Sequence, residues 1–232
     1  MQEITENLAR IRERIAAAAA RSGRKAEEIL LVAVSKGVEP ERIEQAIEAG
    51  ITDLGENYLQ EAIGKKAQIG SKARWHFIGH LQRNKVQAAL EEFSLIQSVD
   101  SLKLAQEISR RAAAAGKTAQ ILLQVNTSSE TSKFGVAPEE TRRLVEEIAV
   151  LPGLSLQGLM TIGRFEPDPE AARGEFRLLS KIFREISQLN LPNIKMRWLS
   201  MGMTHDFEVA IEEGANLVRI GTGIFGPRRE RQ

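Results

Sequence analysis

The residue in this chain best placed to do chemistry is a lysine that ends an apolar run. Leu31-Val32-Ala33-Val34 leads straight into Ser35-Lys36, and a short continuous apolar stretch of this kind is typical of a parallel strand covered on both faces. In such a partly desolvated place the Lys36 amine is expected to have a lowered pKa, which frees it to condense with an aldehyde. A surface lysine that snorkels past an apolar edge has the same local sequence, so Lys36 alone leaves both readings open. The far end of the chain supplies a second chemistry. Arg219-Ile220-Gly221-Thr222-Gly223-Ile224-Phe225-Gly226 sets three glycines around a strand end. Glycine lets backbone N–H groups approach an anion closely, and Thr222 adds a hydroxyl. Just before it, Ser200-Met201-Gly202 offers a hydroxyl and a glycine, and a helix read as starting at Thr204 turns its positive end toward the same place. Tight turns alone explain either loop. Both together, after the last two strands, read as a phosphate cradle. Arg219 stands between Val218 and Ile220, so its guanidinium is expected to point inward. There it needs an acceptor, which a ring nitrogen, a phosphate or a barrel carboxylate could provide.

These groups come together only if the chain brings its strand ends to one face. Apolar runs at 30–35, 52–54, 75–79, 95–98, 120–126, 155–161, 196–200 and 217–220 read as strands. Helical patterns lie between them at 40–49, 57–69, 82–91, 101–115, 138–150, 168–189 and 204–213. Strict alternation implies a parallel sheet, and eight units favour closure into a (β/α)8 TIM-type barrel over an open doubly wound sheet. The second strand is the weakest, because Thr52-Asp53-Leu54 is short and polar. Ahead of the barrel, Ile4, Leu8, Ile11 and Ile15 recur at helical spacing, which predicts an extra N-terminal packing helix within residues 1–22. Pro152-Gly153 and Pro167-Asp168-Pro169 are turn punctuation, so 1–232 reads as one domain. Barrels carry their working groups at the C-terminal ends of the strands. That draws in Gly55-Glu56-Asn57, Gly79-His80, Asn126 and Thr161-Ile162-Gly163 as further candidates.

Composition removes several function classes. Lys plus Arg (32) nearly cancels Asp plus Glu (31), so no net field favours nucleic acid. The one basic cluster, Arg228-Arg229-Glu230-Arg231, reads as a solvated tail. There are no cysteines, which excludes disulfides, thiolate nucleophiles and Cys-ligated zinc. His76, His80 and His205 lack metal-ligand spacing, so no metal is expected. No apolar signal core or membrane-length stretch is present, which makes the cytoplasm the default location and a membrane role unsupported.

Taken together, the motifs resemble those of the pyridoxal phosphate homeostasis proteins, whose barrel is similar to the N-terminal domain of alanine racemase. The resemblance covers essentially the whole chain. It rests on Leu31 to Lys36, Asp53-Leu54-Gly55-Glu56-Asn57-Tyr58, Trp75 to Lys85, Lys133-Phe134-Gly135, Gly158-Leu159-Met160-Thr161, Leu199 to Met203 and Arg219 to Gly226. It implies pyridoxal 5′-phosphate (PLP) as cofactor, carried by Lys36 as a Schiff base. Ser200 and the backbone of Gly221 and Thr222 would hold the phosphate, and Arg219 would sit against the pyridine nitrogen. Asn57, Gly202 and Gly223 complete the expected cofactor contacts, with Gly223 standing where many relatives carry alanine. The implied role is control of cellular PLP and of amino-acid and keto-acid balance without efficient turnover. The alternative is a small PLP-dependent racemase using Lys36 as one base and His80 or Tyr58, the only tyrosine, as the other. A third reading, a phosphometabolite barrel using Lys36 only electrostatically, also fits the residues. His80 is otherwise expected to cap a helix or join a polar network, and Lys133-Phe134-Gly135 to close over the site. No partner protein that would receive PLP can be read, and a monomer is expected because the second domain of the racemase has no counterpart here.

Overall fold

The computed structural model describes residues 2–128, 130, 133–164 and 166–227; the basic Arg228 to Arg231 run lies outside the described residues. Eight parallel strands close on themselves in chain order: β1 (Leu30–Val34), β2 (Asp53–Glu56), β3 (Arg74–Phe77), β4 (Leu95–Val99), β5 (Ala119–Gln124), β6 (Leu154–Met160), β7 (Ile194–Ser200) and β8 (Leu217–Ile220). The helices are α1 (Gln2–Arg21), α2 (Pro40–Glu48), α3 (Leu59–Ile69), α4 (Val86–Glu92), α5 (Leu102–Ala114), α6 (Thr141–Ala149), α7 (Arg173–Ser187), α8 (Phe207–Glu212) and α9 (Thr222–Phe225). The expected TIM-type barrel with an added N-terminal helix is therefore the architecture. No helix among the described residues is long and apolar enough to cross a membrane.

Where boundaries differ from the pattern, local hydrogen bonding explains it. Helices α4, α6 and α7 start later than expected because a short 3₁₀ turn precedes each, at Arg83–Lys85, Pro138–Glu140 and Pro169–Ala172. Thr204 is not the start of a helix: residues 204–206 form a turn in which the Asp206 carboxylate accepts the Met203 N–H at 2.6 Å, and α8 begins at Phe207. The expected dipole at Thr204 is thus replaced by a hydroxyl. Strand β2 runs further than its polar sequence suggests, and all four of its residues are buried.

Two apolar layers hold the barrel. The larger lies between strands and helices, and a smaller plug of Val32, Leu95, Leu122, Met160 and Leu217 fills part of the interior, as side-chain layers fill small parallel barrels. Helix α1 buries Ile4, Leu8, Ile11 and Ile15, each contributing about 1.5–3 kcal/mol. It packs on α8, α9 and α2, so it braces the β8 side of the barrel, where the glycine-rich segment lies.

Candidate functional site

Strand β1 stops at Val34 and the chain turns at Lys36–Gly37, leaving Lys36 half-buried at the rim. Buried charge pins this turn on both sides. The Ser35 hydroxyl donates to Glu56 Oε1 at 2.7 Å, and the Lys65 ammonium, on α3, donates to Ser35 O, to Glu56 Oε1 and to Glu61 Oε1. Glu61 in turn accepts the Gly37 N–H at 2.5 Å. One cation between two carboxylates therefore clamps the residues before and after Lys36. Burial pushes the Glu56 carboxyl above its ordinary value, against the opposing pull of Lys65 and Ser35. The Lys36 ammonium lies 5.8 Å from the ring centroid of Tyr58, within cation–π reach.

Strand pairing sets what stands beside Lys36. β1 lies between β8 and β2, with Ala33 paired to Ile220 and Val34 to Gly55. The chain beyond these pairs brings the Lys36 turn between the Gly221 segment that opens α9 on one side and the Asn57 segment that follows β2 on the other. Gly79, after β3, packs on the backbone of Asn57; a Cβ there would fall 2.2 Å from Asn57 O, so only glycine permits that approach. On the other side, the Thr204 hydroxyl accepts from the Gly223 N–H and the Thr222 hydroxyl at 3.3 Å each, tying the loop after β7 to α9. Asn7 of α1 caps α9 by donating to Ile224 O at 2.9 Å. Gly202 has φ +92° and a Cβ there would sit 2.6 Å from Ala210 Cβ, so it is the contact point with α8; its carbonyl accepts the Arg219 N–H.

Arg219 points inward as expected and is 4% exposed. Among the described residues no carboxylate pairs with it: its guanidinium donates to the Ser200 hydroxyl and, at 2.7 Å, to Thr161 O. Burial pulls its pKa down to about 10, opposed by the charge of Asp206, so it remains cationic at neutral pH. Asp206 is itself pushed up by burial. The fully buried Ser200 donates to Gln97 Oε1 at 2.6 Å. Gln97 Nε2 meets His76 Nδ1 at 2.9 Å, and His76 Nε2 meets Asp53 Oδ1 at 3.0 Å. A continuous polar chain thus crosses the barrel interior from β2 to β8. Inspection of strand ends misses Gln97, His76 and Asp53; the available signal is a polar side chain within a strand, Asp53 in β2, His76 between Trp75 and Phe77 in β3 and Gln97 after Ile96 in β4.

Above the mouth, His80 stacks on Phe134 with ring centroids 3.9 Å apart, and its Nδ1 lies 3.2 Å from Asp100 Oδ2. Lys133 donates to Gly163 O at 3.3 Å. The Lys133–Gly135 segment therefore links the strand ends of β3, β5 and β6. A cleft of about 530 Å³ lies on the outer side of the Lys36 turn, lined by Gly37, Arg42, Lys65 and Phe225 among others; none of the expected cofactor contacts lines it. The mouth thus carries a half-buried amine after β1 and hydroxyls with a glycine N–H after β7 and β8, and β8 buries a cation that, among the described residues, hydrogen-bonds only neutral acceptors. A buried cation so partnered suits a ligand that brings a lone pair or an anion.

The profile of the alanine racemase N-terminal domain family matches residues 6–229. Over 229 residues the chain is 44% identical to the pyridoxal phosphate homeostasis protein of Pseudomonas aeruginosa, covering 98% of this chain and 97% of that one. The chain belongs to the pyridoxal phosphate homeostasis protein family. Among solved structures, an unknown protein from Bifidobacterium adolescentis superposes with TM-score 0.91 at 41% identity, over 97% of this chain and 95% of that one. PipY of Synechococcus elongatus PCC7942, solved with PLP bound, superposes with TM-score 0.82 at 32% identity, over 96% of this chain and all of that one. In this homeostasis-family barrel the expected contacts fall into two tiers. Lys36, Asn57, Gly221, Thr222 and Gly223 reach the rim, while Ser200, Gly202 and Arg219 are buried beneath it.

Proposed function

We propose that this chain binds PLP at the barrel mouth and serves the homeostasis of that cofactor and of amino and keto acids, without efficient turnover. The observation that carries the reading is Arg219, a buried cation hydrogen-bonded, among the described residues, only to neutral acceptors, below a mouth where β1, which leads into Lys36, pairs with β8, which leads into Gly221. When bound, the cofactor supplies an aldehyde that condenses with the Lys36 amine, forming a Schiff base and releasing water. Lys36 holds that end, Asn57 flanks it, and Arg219 offers N–H donors to the ring. Gly221, Thr222 and Gly223 receive the phosphate, with Ser200 and Gly202 supporting them from below. The name of the Pseudomonas relative and the PLP in PipY support the same assignment.

The racemase alternative needs a second base across from Lys36. Tyr58 flanks the Lys36 ammonium from the neighbouring strand end, and His80 is stacked on Phe134 beside Asp100. Both placements support holding over turnover. The test is to add PLP to the purified protein, follow the visible absorbance of the imine, trap it with borohydride and map the modified peptide. The wild-type chain is expected to be modified at Lys36, and Lys36→Ala to lose the band. Absence of a band in the wild type sinks the cofactor reading, and amino-acid racemisation on the order of 1 s⁻¹, typical of enzymes, sinks the claim of no efficient turnover.

A further inference from the structure

Beneath the rim, the polar chain Asp53–His76–Gln97–Ser200–Arg219 has one consistent direction of donation. Asp53 Oδ1 and Oδ2 accept the two Arg74 donors at 2.9 and 2.7 Å, Oδ2 accepts the Thr52 hydroxyl, and Oδ1 accepts from His76 Nε2. A carboxylate can only accept, so the His76 hydrogen sits on Nε2 and its Nδ1 is left to accept from the Gln97 amide. That orients Gln97 with Oε1 toward Ser200. The single Ser200 hydrogen is then committed to Gln97, and its lone pair is presented to Arg219. Gln97 on β4 and Ser200 on β7 are not neighbouring strands, so this hydrogen bond spans the interior.

A polar file through an interior that elsewhere holds Val32, Leu95, Leu122, Met160 and Leu217 costs desolvation at every member. Fully satisfied files of this kind are stiff, because each bond polarises the next and no member can turn alone. We infer that Gln97, His76 and Asp53 are positioning residues: they fix the Ser200 hydroxyl and, through it, the Arg219 guanidinium in the pose that meets the ligand. The inference rests on the PLP reading above and assigns roles to residues well below the mouth. It makes Asp53, on the second strand, the anchor of a cation on the last.

The file could instead only stabilise the barrel, and the experiment separates the two. Titration with PLP is compared for wild type, Gln97→Leu and Ser98→Ala, alongside thermal melting and ¹⁵N spectra of the histidine rings. Ser98 is the control on the same strand, since its buried hydroxyl has no hydrogen-bond partner among the described residues; Ser98→Ala should bind as the wild type does. Gln97→Leu is expected to weaken PLP binding about tenfold, the equivalent of one lost hydrogen bond. In the wild type, PLP is expected to shift the His76 ring nitrogens although His76 cannot reach it, and Gln97→Leu should abolish that shift. Wild-type affinity in Gln97→Leu overturns the inference, as does a wild-type His76 signal indifferent to PLP, which decides the matter even if the variant does not fold. A wild-type chain that takes up no PLP overturns the cofactor reading together with this one.

Discussion

Asp53 and Glu56 sit three residues apart on the four-residue strand β2, and are 1% and 0% exposed, yet their surroundings push them in opposite directions. At Asp53 burial works against the charge, but hydrogen bonds from His76, Arg74 and Thr52 outweigh it and hold the carboxyl well below the usual range. At Glu56 burial wins and the carboxyl is raised. The difference is in the donors. Asp53 receives them on both oxygens, whereas Ser35 and Lys65 both reach Glu56 Oε1 and Oε2 has no partner among the described residues. Burial alone therefore does not set the behaviour of a buried carboxylate; the supply of donors does. The two also serve different parts of the site. Glu56 belongs to the charged clamp around the Lys36 turn, and Asp53 ends the polar file that leads to Arg219.

The comparison breaks most visibly at Lys65, the cation that bridges Glu56 and Glu61. Lys65→Met removes the cation from the buried Glu56 and is expected to cost about 3–5 kcal/mol of stability, because removing one partner of a buried pair strands the other. Urea unfolding at pH 7 measures it. A loss below about 1 kcal/mol would mean that water, and not Lys65, balances the clamp.

Asp53→Asn tests the other side, with a smaller expected loss of about 2 kcal/mol at neutral pH, since Arg74 is largely exposed and only part of its pairing counts. The sign with pH is fixed by the lowered value. Stability from Asp53 is fully present above the ordinary carboxylate range and is lost as pH falls through its folded value. The gap between wild type and Asp53→Asn should therefore narrow in acid, below about pH 4. A gap that is constant down to pH 3 would show that the donors do not favour the charged form.

Much of the architecture was legible because apolar runs alternate with helical stretches through the chain; β8 was read at its observed limits, Leu217–Ile220. The rim positions were legible for a related reason: Lys36, Thr222 and Gly223 come two or three residues after an apolar run, where a barrel displays side chains, and Asn57 follows the second strand. β2 was read poorly because its polar residues are satisfied by partners remote in sequence, Arg74 and His76 for Asp53 and Lys65 for Glu56. The interior file was invisible for the same reason at longer range, since Gln97 and Ser200 meet across 103 residues. The four-residue α9 is too short to show a helical period. At Thr204 the boundary was read one turn early, because 204–206 form a separate turn, bonded between Met203 and Asp206, ahead of α8.

Glu56→Gln should have the smallest effect and discriminates best between the two carboxylates. The substitution keeps the shape and lets the amide oxygen accept from Ser35 and Lys65, while Lys65 retains Glu61 and Ser35 O as partners. At pH 7 the variant is expected to lie within about 1 kcal/mol of the wild type. Its pH dependence must run opposite to that of Asp53→Asn. With a folded pKa above the unfolded one, Glu56 contributes stability that is fully present below the ordinary glutamate range and is lost as pH rises through the folded value. Glutamine does not titrate, so the stability of the variant relative to wild type should climb as pH is raised from about 4 toward neutrality. Urea midpoints across that interval read it directly. A relative stability that is flat, or that falls with pH, would place Glu56 with Asp53 as a carboxylate whose donors suffice, and the unpartnered Oε2 would lose its meaning.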